Sequence, residues 1–235
     1  MTFRDRLLAT VRAARPVLEG GGVLVVGSEV PNLLQPSAAS TLVVSQDLDV
    51  GVFVTEHRRV AERLGRLAGF TPSPDEPSVL VPADPTLLEL NFVGIDPSQD
   101  PAEAYVLPDE RLPLLVFGAL SLVTPGATLE IEGTAVPLPR VSGLLLEKLV
   151  TERTGEKGER DLLVALGLLL SASPEDVAEA VEAYRGLRPE LRHAVRSNLT
   201  LLSLLGPRAG MPDPEPGRRD VADLLRRLED EGERP

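Results

Sequence analysis

The spacing of apolar residues changes character along the chain. Phe3, Leu7, Leu8, Val11 and Leu18 recur at helical spacing, predicting an amphipathic helix over 3–18 that Gly20, Gly21 and Gly22 stop. The run GVLVV (22–26) is then a short buried strand, and EVPNLLQP a short helix ending near Pro36. TLVVSQDLDVGVFV (41–54) contains the next strand, and Thr55 is placed to cap a helix through Leu67. PSPDEP (72–77) and DPSQDP (96–101) read as loops. Between and after them, SVLVP (78–82), LLELNFV (87–93) and PLLVFG (113–118) read as strands, and residues 128–139 as a hairpin turning near Gly133.

From Arg140 the period becomes helical throughout. RVSGLLLEKLVTER (140–153) and ERDLLVALGLLLS (159–171) are two helices. Ser173-Pro174 followed by Glu175 and Asp176 opens a third that runs to about Tyr184. A fourth spans 189–205. PRAGMPDPEPG (207–217) is a linker, and Val221, Leu224, Leu225 and Leu228 mark a C-terminal amphipathic helix docked on this chain's own body or on a partner. The pattern predicts an α+β chain in three parts: an α/β domain over 1–139 with a mixed sheet flanked by helices, a helical bundle over 140–206, and the linker and last helix over 207–235.

Composition narrows the chemistry. The 235 residues contain no cysteine, which excludes disulfides and thiolate zinc sites, and only two histidines, His57 and His193, both expected at the surface. A divalent cation would therefore be held mainly by oxygen. The formal charge of −12 disfavours a general nucleic-acid surface, although Arg58, Arg59, Arg63 and Arg66 on one helix offer a local basic patch for a small RNA. The first residues lack the apolar core of a signal peptide and no run approaches a membrane span, so a cytoplasmic protein is expected.

Against that background, SQDLDVGV (45–52) stands out: Asp47 and Asp49 interrupt an apolar, strand-like run. Buried carboxylates are costly unless they are paired or bind a cation. Strand alternation points both to one face, with Cα atoms about 6.6 Å apart, a spacing from which they can converge on Mg²⁺. Gly51 continues that face and leaves space beside them. An Asp-x-Asp alone is a weak signal in a chain with 36 acidic residues. Two further features accompany it. Gly27-Ser28 follows a buried strand and precedes a helix, a turn that can receive phosphate. In LLELNFV another acid, Glu89, interrupts a strand, sharing a face with Leu87, Asn91 and Val93. Taken singly, the first is an ordinary strand-to-helix turn and the second a solvated residue on an edge strand.

In this order VGS (26–28), DLDV (47–50) and LEL (88–90) resemble the nucleotidyltransferase superfamily of the DNA polymerase β type. The resemblance spans roughly residues 20–170, and its most specific part is the ordered set. It implies transfer of a nucleoside monophosphate from a nucleoside triphosphate to an acceptor, with release of pyrophosphate. Gly27 and Ser28 would hold phosphates, Asp47 and Asp49 would ligate Mg²⁺ (or Mn²⁺), and Glu89 would complete a second metal site in two-metal catalysis. LLLEKLVTERTGEKGERDLLVAL (144–166) is similar to a segment of bacterial abortive-infection (AbiEii-like) proteins, in which Lys148 would face the triphosphate and Arg160-Asp161 would stand for a Lys-Asp pair. The chain departs from the pattern where Val43 replaces an arginine before the Asp-x-Asp, where the interval from Gly-Ser to Asp47 is long, and where the third acid is Glu. Those departures motivate an alternative: a catalytically degenerate binding or regulatory module, such as a toxin–antitoxin or defence component. The acceptor is left open among a small molecule, a tRNA and a protein, as is homo-oligomerisation. Dinucleotide binding is disfavoured, because VVGSEVPN has one glycine where a G-x-G-x-x-G needs three.

Overall fold

A computed structural model describes residues 2–34, 45–151, 155–208 and 211–232. Among these residues no helix is long and apolar enough to cross a membrane. The chain divides into two compact units, residues 1–29 with 44–139, and residues 30–43 with 140–235.

In chain order the elements are α1 (Phe3–Ala13), α2 (Arg15–Leu18), β1 (Val23–Val26), α3 (Glu29–Leu34), β2 (Asp47–Phe53), α4 (His57–Leu64), β3 (Phe70–Pro72), β4 (Val79–Pro82), β5 (Glu89–Ile95), β6 (Ala104–Leu107), β7 (Leu114–Phe117), β8 (Pro125–Ile131), β9 (Thr134–Pro139), α5 (Val141–Val150), α6 (Gly155–Ser171), α7 (Pro174–Arg185), α8 (Pro189–Leu204) and α9 (Arg218–Gly232). This is the expected α+β class, with a mixed sheet flanked by helices and helices in the C-terminal half.

The first unit is built on a seven-stranded sheet. Its order is β1-β2-β5-β4-β3, with β7 joined to β5 and β6 to β7. β2 and β5 run parallel, as do β5 and β7, whereas β1 is antiparallel to β2. β5 is thus an interior strand, not the edge that Glu89 alone suggests. Leu48, Val50 and Val52 of β2 and Leu90 and Phe92 of β5 are buried on one side, and this alternation fixes what the other side carries. α1 holds the entry of β5. Thr10 Oγ1 accepts from the Leu88 amide at 2.8 Å, and the Arg6 guanidinium donates to the carbonyls of Thr86 and Leu87. Thr2 and Asp5 start α1 with a reciprocal capping box.

Several boundaries differ from the sequence reading for identifiable reasons. The expected helix over 3–18 is two helices breaking at Ala14, because Pro16 has no amide hydrogen to continue the ladder. Thr55 does not cap a helix; it lies in a 3₁₀ turn (Val54–Glu56), and α4 begins at His57 and ends at Leu64. β3 and β6 are additional short strands. The expected helix end near Pro36, the residues before Ser45 with Val43, and residues 152–153 lie outside the described residues.

The second unit centres on α5, all ten of whose residues are buried. α6, α7 and α8 pack around it. Ser173 and Asp176 cap α7 with the expected box. α9 packs on α7 and α8 through Val221, Leu224 and Leu228, so the C-terminal helix docks on its own body.

Candidate functional site

β2 and β5 pair in parallel with Asp47 opposite Glu89 and Asp49 opposite Asn91. Side chains at paired positions share a face. Asp47, Asp49, Glu89 and Asn91 therefore lie on one face of the sheet, away from the buried leucines. Asp47 and Asp49 are half-buried and Glu89 is exposed. Asn91 donates from Nδ2 to Asp49 Oδ1 at 2.8 Å, and Ser45 Oγ donates to Asp47 Oδ1.

The end of β1 closes one side of this face. Val26 is paired with Asp49, and the chain then turns through Gly27 at φ +85°. Only glycine adopts that conformation without strain, and a Cβ there would collide with Asp49 Oδ2. The turn thus lies directly against the Asp49 carboxylate. Ser28 Oγ donates to Glu29, 2.9 Å from each carboxylate oxygen.

Glu29 is the residue that the sequence reading left inside a short helix. It is fully buried. Burial, with the charge of Asp49 and then Asp47 beside it, holds its carboxyl well above the usual glutamate range, against a smaller opposing effect of the Ser28 hydroxyl. Its place directly after Gly27-Ser28 was the available signal. Asn91 was legible too, since strand alternation puts it beside Glu89. Gly51 does share the face of the aspartates, but Ile95 and Val26 occupy the space above it, so the expected opening there is filled.

The donor set suits a hard cation. Carboxylate and amide oxygens are what Mg²⁺ takes, and Mg²⁺ is commonly held by one or two carboxylates together with substrate phosphates and water. Asp47 and Asp49 are residues of that kind. Among the described residues no three His, Asp or Glu side chains gather into a metal-holding group. Glu89 shares the face without completing a cage.

Lys148 belongs to the second unit, where it is buried on α5 and paired with the equally buried Glu147 at 3.0 Å. A cavity of about 620 Å³ opens there, lined among others by Lys148, Asp161, Asn198, Leu201 and Arg208. Lys148 and Asp161 of the helical motif thus line one cavity.

One expectation about the histidines is corrected. His57 is not at the surface; it is buried, and its Nε2 lies 2.7 Å from the carbonyl oxygen of Leu112. His193 is exposed, as expected. Of the arginines read as a local basic patch, Arg63 donates to the carbonyls of Val17 and Gly21, whereas Arg58, Arg59 and Arg66 are exposed, Arg59 beside Glu56 at 3.0 Å.

No protein-family model and no curated sequence matches the chain. Among solved structures, an antigenic nucleotidyltransferase-like protein from Paracoccidioides brasiliensis is similar over 94% of this chain and 93% of its own, with a TM-score of 0.51 and 18% identity. JHP933 from Helicobacter pylori aligns over 98% of this chain and 94% of its own, with a TM-score of 0.41 and 13% identity. The mixed sheet carrying Asp47 and Asp49 beside the Gly27 turn, and the helices that follow it, have a nucleotidyltransferase-like fold.

Proposed function

We propose that the chain binds a Mg²⁺–nucleoside triphosphate and transfers its nucleoside monophosphate to an acceptor hydroxyl. The observation that carries this reading is the pair Asp47 and Asp49 on one sheet face with the Gly27 turn packed against Asp49. Asp47 and Asp49 would hold the cation, which when bound neutralises charge on the phosphates. Asn91 fixes the orientation of Asp49 through its amide, and Ser45 does the same for Asp47. Gly27, lacking a side chain, lets a phosphate oxygen approach the backbone, and Ser28 can turn its hydroxyl from Glu29 to that oxygen. Glu89, exposed on the same face opposite Asp47, is where an acceptor hydroxyl would meet a base. Lys148 is a further nucleotide-binding candidate on the strength of its cavity. The narrower abortive-infection type rests on Lys148 with Arg160 and Asp161 alone.

A second reading has its own support. The described residues offer no three-acid metal group, and the Ser28 hydroxyl is engaged by Glu29. On that reading the chain binds nucleotide and does not turn it over, acting as a regulatory or defence module. Pyrophosphate release from each Mg²⁺–nucleoside triphosphate, in wild type and Asp49→Asn, separates the two. Release by wild type that collapses in the variant supports transfer. Calorimetric binding without release supports the binding module. Neither binding nor release contradicts both.

A further inference from the structure

β6 and β7 carry an apolar face that is left open. Val106 is 63% exposed, Leu115 40% and Phe117 37%. The register pairs Val106 with Leu115 and Ala104 with Phe117, so these four side chains form one block on one face. Apolar residues scattered singly over a surface mean little, whereas a contiguous exposed block marks an interaction site. Leu115 is in turn paired with Val93, and Val93 with Gly51 of β2. The block therefore lies on the same side of the sheet as Asp47, Asp49, Glu89 and Asn91.

The strand edge beside the block is open too. Among the described residues β6 pairs with β7 alone. The Gly118 amide donates to the Glu103 carbonyl at 2.7 Å, directly across this ladder. Hydrogen-bonded and non-hydrogen-bonded positions alternate along an antiparallel pair. Tyr105 and Leu107 thus bond to β7, whereas the amides and carbonyls of Ala104 and Val106 point away from it. The residues whose backbones face outward are the same two that give their side chains to the apolar block. No charged residue or proline interrupts Ala104–Leu107, although such residues commonly guard an edge.

Charge decides what kind of chain fits. Glu103 precedes the strand and Asp109 and Glu110 follow it, all exposed, with Arg111 the exposed base beside them. The phosphates of a nucleic acid would be repelled there. A second copy of this chain, paired antiparallel through β6, would bring the acidic ends of the two strands together. A polypeptide with lysine or arginine at both ends of an apolar stretch meets neither obstacle. We infer that β6 takes up an extended, basic-ended polypeptide segment as an added strand, with alternate apolar side chains of that segment lying beside Ala104 and Val106 on the face they share with Leu115 and Phe117. The inference stands apart from the nucleotide reading above.

Fluorescence anisotropy tests it with short labelled peptides of alternating valine and serine, one ending in lysines and one in glutamates, and with a labelled single-stranded RNA. The full chain should bind the lysine-ended peptide about tenfold more tightly than the glutamate-ended one. Val106→Pro removes an outward amide without touching the β7 ladder and should weaken that binding about tenfold. Val106→Lys keeps the amide but sets a charge in the apolar block, and should weaken it as well. Val106 is mostly exposed, and a thermal melt of each variant checks the fold; the lysine variant keeps the test decisive if the proline variant melts early. Amide exchange at Ala104 and Val106 should slow when the peptide binds. Undiminished affinity in either folded variant, no binding of the lysine-ended peptide, or tighter binding of the RNA overturns the inference. So does a dimer, seen by light scattering, that Val106→Pro dissociates.

Discussion

The sheet unit and the helical unit each bury charge, and they settle its cost differently. In the helical unit Lys148 and Glu147 are buried side by side and neutralise each other at 3.0 Å, and Arg208 pairs with Glu159 at the cavity rim. In the sheet unit the fully buried Glu29 has a serine hydroxyl as its hydrogen-bond partner, while Asp49 and Asp47 press the same sign of charge against it. A matched pair serves the fold as it stands. A buried acid among acids is favourable only when a proton or a cation arrives. The contrast singles out the sheet face, not the helical cavity, as the place where binding changes the electrostatics most.

Breaking the matched pair should have the largest effect. Lys148→Met leaves Glu147 buried without its partner and should cost roughly 3–5 kcal/mol of stability, measured by urea denaturation. The double substitution Glu147→Leu/Lys148→Met should recover most of that loss. A single variant as stable as wild type would show that the pair is not what neutralises Glu147.

Gly27→Ala comes next. Its φ of +85° and the crowding against Asp49 Oδ2 should cost about 1–3 kcal/mol by the same measurement. Gly69→Ala is the control: its φ of +81° carries the same backbone strain with nothing nearby for a Cβ to strike. A larger loss at 27 than at 69 isolates the contact with the carboxylate. Equal losses would mean that backbone strain alone is at work.

Glu29→Gln should have the smallest effect, and one whose size depends on pH. The carboxyl of Glu29 is raised in the folded state, so the fold binds its proton more tightly than the unfolded chain does. That contribution to stability is complete below the unfolded glutamate range and is lost as pH rises through the raised folded value. In EDTA, the variant should therefore gain on wild type as pH rises from 4 toward 9, read as the difference in denaturation midpoints. A difference that stays constant with pH would show that Glu29 is not held protonated.

Much of the sheet face was legible because strand alternation has a period of two. Asp47 with Asp49, and Glu89 with Asn91, could each be assigned to a face from sequence, and the parallel register then joined those two faces into one. What alternation cannot supply is which strands are neighbours. The pairing of Asp47 with Glu89 is set across a 42-residue separation by β4, β5 and α1. Glu29 was missed because a glutamate opening a helix reads as solvated, and its burial is a tertiary outcome. His57 was missed for the same reason, its ring being held by the backbone of Leu112. β3 and β6, of three and four residues, are too short for a period to register. In the helical half the Ser173–Asp176 box and the spacing of Val221, Leu224 and Leu228 marked α7 and α9 correctly, because caps and helical periodicity are local. The cavity beside Lys148 was invisible, since it needs α5, α6 and α8 together.

The most direct test of the central claim is anomalous diffraction from crystals grown with Mn²⁺ and a non-hydrolysable nucleoside triphosphate. A manganese peak is expected between the carboxylates of Asp47 and Asp49, with phosphate oxygens against the Gly27 turn and the peak lost in Asp47→Asn/Asp49→Asn. A nucleotide bound with no metal at those two residues, or a metal held elsewhere and indifferent to the double substitution, would contradict it.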